Sequence, residues 1–402
     1  MAGLDSSQSS HHPATLALHA DDDLNVVADV APPFHLSTTF RYSNNPDNLE
    51  PWSDNQTLAN LPATSHIYSR HTNPNNTRFE TILKSLLNGH VVSYSSGLAA
   101  LHAALVFLNP RRIAVGDGYH GSHGVIAVHT RLSGLQKLAL DCPADDLQRG
   151  DVVLLETPVN PHGTAFNIQH YADKAHARGA YLLVDSTFGP PGLQDPFRWG
   201  ADLVLHSGSK YLGGHSDMLC GVLAMKRAEW KSGLVGDRLL LGSVMGNMEG
   251  WLGVRSLRTL EVRVQRQSAS AARLVEFIDG ALRMAGADVK EGSEEAIVHA
   301  AVETVQHASL QREEWVRKQM PNGFGTVFSI TLREERFSRL LPTKLRLFHH
   351  ATSLGGVESL IEWRAMTDPT VDQRLLRLSV GLENWEDLKG DLVQAMREVI
   401  KG

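Results

Sequence analysis

Lys210 lies in the turn Ser207-Gly208-Ser209-Lys210-Tyr211-Leu212-Gly213-Gly214, directly after the apolar run Leu203-Val204-Leu205. An amine in such a turn can be held partly out of water and neutral often enough to attack a carbonyl, with hydroxyl and backbone donors beside it for a phosphate. A second apolar run, Tyr181-Leu182-Leu183-Val184, ends in an acid, Asp185. Two strand ends then offer a lysine and a carboxylate to one ring. Pyridoxal 5'-phosphate (PLP) needs that pair, an amine for its aldehyde and an acid for its ring nitrogen.

Three further strand ends add to the set. Ser95-Ser96-Gly97 turns a strand into a helix that opens on small residues, so that its free N–H groups and dipole can hold a phosphate. Gly118-Tyr119-His120-Gly121 offers an aromatic face on which a planar ring can stack, and Glu156-Thr157-Pro158-Val159-Asn160-Pro161 offers Asn160 as a hydrogen-bond donor. Each feature is weak alone. Their joint placement at strand ends is what carries weight, because ligands of an open parallel sheet collect at the carboxyl ends of its strands.

Two rival motifs are present. Gly116-Asp117-Gly118-Tyr119-His120-Gly121 is a literal G-x-G-x-x-G, with Asp141 about twenty residues on. Tyr-His before the third glycine is awkward in a turn that must lie bare against a pyrophosphate. Ser207-Gly208-Ser209-Lys210 is a literal S-x-x-K, and Ser53-Asp54-Asn55 and Lys231-Ser232-Gly233 echo the other serine β-lactamase elements. Their order along the chain is wrong for that enzyme class.

The elements that must position these residues alternate. Apolar runs near 91–94, 112–115, 137–140, 152–156, 181–185, 202–206 and 221–225 are expected strands, with helices between them at 96–107 and 168–178. This is the pattern of an α/β protein with a mostly parallel, seven-stranded sheet. Residues 1–62 are poor in periodic apolar runs and form an N-terminal extended arm with no core of its own, which has to lie on something else. The large domain is expected at 63–256 and a smaller C-terminal α+β domain at 257–402. The latter would hold a long helix over 259–279, strands at 326–332 and 375–380, and a closing amphipathic helix at 386–400.

With 402 residues and a formal net charge of −6, the chain has material for two or three domains and no basic footprint for nucleic acid. No apolar stretch suits a membrane span or a leader, so no membrane partner is expected. Cys142 and Cys220 make neither a disulfide framework nor a metal or redox motif, and the twenty histidines are scattered. A cytoplasmic protein with small-molecule partners and no metal follows as the expectation.

On these residues the chain resembles the cystathionine γ-synthase-like family of fold-type I PLP enzymes, the Cys/Met-metabolism group, from about Thr38 to Asp391. The resemblance implies roles for named positions. Tyr68 and Arg70, in Tyr68-Ser69-Arg70 before Asn73-Pro74, would reach the cofactor phosphate of a partner subunit, within a homotetramer whose sites are shared between subunits. Ser96, Gly97 and Leu98, with leucine where methionine is usual, would form the phosphate loop, helped by the hydroxyls of Ser207 and Ser209. Tyr119 would stack on the ring and assist Lys210, the Schiff-base lysine. Asn160 would lie beside the phenolic oxygen and the substrate, and Asp185 would pair with the ring nitrogen. Ser353, in Ser353-Leu354-Gly355-Gly356, would belong to the substrate loop, and Arg377 would clamp an amino acid's carboxylate.

The departures fall on the substrate rim. Tyr119-His120-Gly121-Ser122 stands for the usual Tyr-Gly-Gly-Thr, and Asp185-Ser186-Thr187-Phe188 for Asp-Asn-Thr-Phe. Thr352 stands where members that handle cystathionine often carry glutamate, and Arg364-Ala365-Met366-Thr367-Asp368 replaces a segment that normally carries Pro-Ala and ends Thr-His. The resemblance implies γ-replacement on an activated homoserine, O-acetyl-L-homoserine, by a sulfur or carbon nucleophile through a vinylglycine-type intermediate. A carbon–sulfur β- or γ-lyase is the alternative, and the altered rim is compatible with the carbon nucleophiles of fungal specialised metabolism.

Overall fold

The computed structural model describes residues 11–49, 51, 65–284 and 290–401. Seven strands form the large sheet: β1 (His90–Tyr94), β2 (Arg112–Val115), β3 (Gln136–Ala139), β4 (Val152–Glu156), β5 (Tyr181–Asp185), β6 (Leu203–Ser207) and β7 (Gly221–Met225). Their order is β1-β7-β6-β5-β4-β2-β3. Only β7 runs against the others, pairing antiparallel with both β1 and β6. The carboxyl ends of β1, β2, β4, β5 and β6 therefore open on one edge. Strands buried on both faces need continuous apolar runs rather than alternation, and Val-Val-Leu-Leu in β4 and Leu-Val-Leu in β6 meet that need.

Helices α1 (Pro13–His19), α2 (Pro74–Leu86), α3 (Gly97–Leu108), α4 (His120–Ser133), α5 (Ile168–His176), α6 (Ala228–Leu241) and α7 (Asn247–Leu257) accompany this sheet. Asn73-Pro74 is the start signal of α2, with the Asn73 side chain accepting from the Asn76 N–H and Pro74 in the first turn. The 13–19 part of the arm is helical, which its sparse apolar residues do not announce. It lies on the protein's own body: Asp21, buried just after it, accepts from Arg78 at 3.1 Å and from Arg258 at 2.8 Å.

The long helix α8 (Leu260–Arg283) joins two cores. Its Leu260 and Val264 belong to the core of the large sheet, while Ala271, Leu274, Val275 and Ile278 belong to a second core. Around the second core lie α9 (Glu294–Ala301), β8 (Val302–Gln306), β9 (Val327–Leu332) and α11 (Glu335–Leu340), while α10 (Glu314–Gln319) packs through Val316 in a small separate cluster with Ala165 and Ala308. They are followed by β10 (His349–His350), β11 (Leu360–Trp363), β12 (Leu375–Ser379) and α12 (Trp385–Lys401). These five strands form a second sheet in the order β10-β11-β12-β9-β8, antiparallel except for β10 with β11.

Period-two alternation in the second sheet sorts its residues. Leu376 and Leu378 of β12 and Ile361 of β11 enter the second core. Arg377 and Glu362 consequently face the other way, toward the large sheet. They are direct partners across the β11–β12 ladder. Among the described residues no helix is long and apolar enough to cross a membrane.

Candidate active site

The strand ends of the large sheet and the outer face of the small one enclose a cavity of about 550 Å³, inside the range of roughly 300–1,000 Å³ usual for small-molecule sites. Ser96, Gly97, Leu98, Tyr119, Asn160, Asp185, Ser207, Ser209, Lys210, Thr352, Ser353 and Arg377 all line it. Residues up to 281 positions apart in the sequence are thus brought to one wall. Tyr68 and Arg70 do not join them. Tyr68 is 42% exposed, and the Arg70 guanidinium lies 5.6 Å from its ring and donates to the Leu239 carbonyl at 3.3 Å.

At one end of the cavity the amino terminus of α3 meets the end of β6. The Ser96 hydroxyl caps α3 by accepting from the Ala99 N–H at 3.1 Å, and the Ser96 carbonyl takes the Ala100 N–H at 3.0 Å. The Gly97 and Leu98 N–H groups have no partner within the helix and point out of its positive end. A methyl group on Gly97 would sit 2.9 Å from the Ser207 Cβ, and one on Gly221, between β1 and β6, would sit 2.0 Å from the Ser96 carbonyl oxygen. The close approach of these segments depends on side chains that are missing. Orphan N–H groups, a helix dipole and the hydroxyls of Ser207 and Ser209 form a donor set that suits a phosphate.

At the other end Asp185 has its Oδ1 engaged by the Thr187 hydroxyl at 2.6 Å and the Thr187 N–H at 3.0 Å, which leaves Oδ2 for a ring-nitrogen proton. The same Thr187 hydroxyl accepts the Ser207 N–H at 2.9 Å and ties β5 to β6. Glu156 is opposite Asp185 in the β4–β5 register. Its carboxylate accepts the Tyr119 N–H and the Asn160 N–H, both at 2.8 Å, so one side chain ties down the backbone of both residues. Burial pushes both carboxyls above their ordinary range, and the charge of Asp185 raises Glu156 further. A cationic ring nitrogen at Asp185 would relieve that cost. The residues fit PLP at both ends.

Lys210 lies between them. Its Nζ donates to the Ser353 hydroxyl at 2.7 Å. Burial and then the charge of Arg377 pull the amine down to about 8, against the opposing charge of Glu362. Ser353 takes a left-handed backbone, φ +79°, which costs a residue with a Cβ on the order of 1–3 kcal/mol. Its carbonyl meanwhile accepts from Arg377 Nη2 at 2.8 Å, so the strained residue holds the lysine with one atom and the arginine with another. Arg377 also donates to Asn160 Oδ1 at 3.1 Å and pairs with Glu362 at 2.5 Å. Burial lowers Arg377 to about 10, still cationic at neutral pH.

Both rival motifs dissolve in this geometry. A methyl group on Gly121 would strike the Tyr119 ring at 2.5 Å, and one on Gly118 would strike Glu156 at 2.5 Å. The glycines of 116–121 seat that ring and that carboxylate rather than a pyrophosphate. Lys231 to Gly233 lie inside α6 and away from the cavity, and Ser53-Asp54-Asn55 falls outside the described residues.

Glu362 and Arg364 also line the cavity, as do His120 and Thr367. Glu362 does not stand out as a site residue in the sequence, whereas Arg364 begins the altered rim segment. The available signal is a charge in the middle of an otherwise apolar strand, Leu360-Ile361-Glu362-Trp363.

A family model for the Cys/Met metabolism PLP-dependent enzyme matches residues 14–397. Cystathionine gamma-lyase of Saccharomyces cerevisiae is 32% identical over 417 residues, covering 97% of this chain and 98% of its own. The cystathionine gamma-synthase/O-acetylhomoserine (thiol)-lyase of Bacillus subtilis is 30% identical over 414 residues, with 98% of each chain covered. The crystal structure of metB from Corynebacterium glutamicum superposes with a TM-score of 0.83 at 28% identity, over 97% of this chain and 99% of that one.

A depressed lysine has a direct chemical signature. In cofactor-free protein, labelling of Lys210 by an amine-selective acylating reagent, followed by peptide mass, is expected to rise about tenfold per pH unit and level off above pH 8, where the neutral amine predominates. Glu362→Gln removes a charge that favours the ammonium form, so the midpoint should move to lower pH. A midpoint near the ordinary lysine value of about 10.4 would contradict the desolvated site.

Proposed function

Because this chain belongs to the Cys/Met metabolism PLP-dependent enzyme family, we propose that it replaces the γ-substituent of an activated homoserine, O-acetyl-L-homoserine, with a sulfur or carbon nucleophile. It is a PLP-dependent enzyme of the cystathionine γ-synthase-like type, with homologues among both the synthases and the lyases. One observation carries the reading: the Lys210 amine, the Arg377 fork and the Asp185 carboxylate line a single cavity, with Ser353 bonded to the first two. Bound PLP supplies an aldehyde for amines and a ring that accepts electrons from Cα.

The chain's residues supply position and proton transfer. Arg377 would hold the substrate's α-carboxylate by its fork and so decide which Cα bond stands perpendicular to the ring. Lys210, with an amine near neutrality, would take the Cα proton and move protons at Cβ, and Tyr119 would assist it. Asp185 would keep the ring nitrogen protonated, with Thr187 holding its other oxygen. Acetate leaves, the nucleophile's hydrogen is lost as a proton, and the carbon skeleton and amino group are retained. The lyase alternative uses the same residues and ends instead in a keto acid and ammonia. The likeness to the yeast cystathionine gamma-lyase supports it. The unpaired cysteines Cys142 and Cys220 suit work in the cytoplasm.

The exposed Tyr68–Arg70 pair and the family resemblance support a site completed by a second copy, within a homotetramer. Mixing Arg70→Ala with Lys210→Ala subunits should then restore part of the activity each lacks, since one hybrid site is intact. No recovery after verified subunit exchange would rule out a shared site.

The decisive assay incubates the PLP-loaded enzyme with O-acetyl-L-homoserine and a panel of sulfide, thiols and β-keto acids, with products identified by mass. Acetate and a γ-substituted amino acid should appear in equal amounts. Release of a keto acid and ammonia with no nucleophile incorporated would replace the transferase reading by the lyase one.

Thr352 lines the cavity where a glutamate would answer the distal ammonium of an amino-acid nucleophile. Thr352→Glu should raise kcat/KM for cysteine relative to a small thiol by about tenfold if about 1.4 kcal/mol of that interaction is recovered. An unchanged ratio would show that this position does not choose the nucleophile.

A further inference from the structure

We propose that Arg364 is the receptor for a second carboxylate, at the γ end of the substrate complex and separate from the α-carboxylate taken by Arg377. This rests on the γ-replacement reading above and names the chemistry of the group at the reacting end.

Arg364 is 4% exposed yet lines the cavity. Its Nη1 donates to Glu362 Oε2 at 3.0 Å, the same oxygen that pairs with Arg377 at 2.5 Å. Its Nε is buried and has no hydrogen-bond partner. Among the described residues its Nη2 makes no hydrogen bond either, so the part of the guanidinium that lines the cavity keeps donor capacity that an entering carboxylate would take. Glu362 cannot do so alone. One carboxylate stands between two guanidinium groups, and its Oε1 is already engaged by the Thr367 hydroxyl at 2.8 Å. Among the described residues Glu362 is the only carboxylate within ion-pairing distance of Arg364.

The rim departures seen in the sequence converge here. Arg364 and Thr367 belong to the segment that replaces the usual Pro-Ala stretch, and His120 stands where glycine is usual. All three line the cavity. Asp368, held below its usual range first by the Thr370 hydroxyl, feels the charges of both Arg364 and His120, so the two altered segments face each other. With Thr352 offering no charge for an ammonium, this end of the cavity suits a carboxylate without an amino group. A planar fork is the donor best matched to that ligand.

The carboxylate has two possible sources, the incoming nucleophile or a dicarboxylic half-ester as leaving group. Binding is tested first, without turnover. L-2-aminoadipate and L-2-aminopimelate lack a γ leaving group, and L-norleucine and L-2-aminoheptanoate replace their far carboxylate by methyl. In PLP-loaded wild type, binding read from the cofactor absorbance should favour at least one diacid over its methyl counterpart by tenfold or more. Arg364→Gln should abolish that preference, and Arg364→Lys should keep part of it. Equal binding of acid and methyl forms by wild type, or a preference that survives in Arg364→Gln, overturns the assignment whether or not γ-replacement is observed.

Two kinetic arms then locate the source. In one, 3-mercaptopropionate and its methyl ester compete for O-acetyl-L-homoserine. In the other, O-succinyl- and O-acetyl-L-homoserine compete for methanethiol. A preference for the acid in the first arm assigns the carboxylate to the nucleophile, and a preference for the succinyl ester in the second assigns it to the leaving group. The absence of either preference, like equal binding, counts against Arg364 as a receptor.

Discussion

A single buried ion pair holds the two halves of the site in register. Glu362 and Arg377 are opposite each other on β11 and β12, each about 4% exposed, and close to 2.5 Å. Taking two charges out of water costs several kcal/mol per ion, which their attraction offsets only when further hydrogen bonds complete the shell. Those bonds come from both sheets: Asn160 from the loop after β4, the Ser353 carbonyl from the loop between β10 and β11, and Thr367 on the far side of Glu362. Weakening the pair would therefore disturb Asn160, Ser353 and, through Ser353, the hydrogen bond to Lys210.

The large sheet and the small one divide the labour. On the large sheet, glycine contacts of 2–3 Å and a chain of short hydrogen bonds from Asp185 through Thr187 to Ser207 leave little freedom around the amino terminus of α3 and Asp185. That part keeps Tyr119, Asp185 and Lys210, with departures from the usual residues at Leu98, His120, Ser122 and Ser186. Charged side chains of the small sheet, Glu362, Arg364 and Arg377, also line the cavity, and the departures at Thr352 and Arg364 lie there. Close backbone packing thus fixes one part of the cavity, and exchangeable side chains line the other.

Much of this was legible in the sequence. Strands buried on both faces advertise themselves by unbroken apolar runs, so β2, β4, β5 and β7 sit where those runs sit. The polar residues that follow each run are then forced to one edge by parallel topology, which is why Ser96, Tyr119, Asn160, Asp185 and Lys210 could be grouped. Glu362 was not legible as a site residue, and Arg364 only as the start of an altered segment. Their importance depends on which residue of β11 faces Arg377, and antiparallel register is fixed by pairing rather than by either strand alone. The role of Glu156 was hidden for the same reason, since its two N–H partners lie at Tyr119 and Asn160 on separate loops. The short helix α1 was missed because its stability comes from docking, through Ala17 and the arginines that bind Asp21, and not from its own pattern.

The hydrogen bond from Lys210 to Ser353 spans 143 residues of chain, and that from Arg377 to Asn160 spans 217. A chain emerging from the ribosome exposes the whole large sheet before either partner from the small one has been made. Until then Lys210 lacks its Ser353 acceptor and the neighbouring Arg377 guanidinium, one of the two causes that lower its affinity for a proton. The environment of the lysine is thus a property of the finished chain, complete only when residues from both sheets have been made.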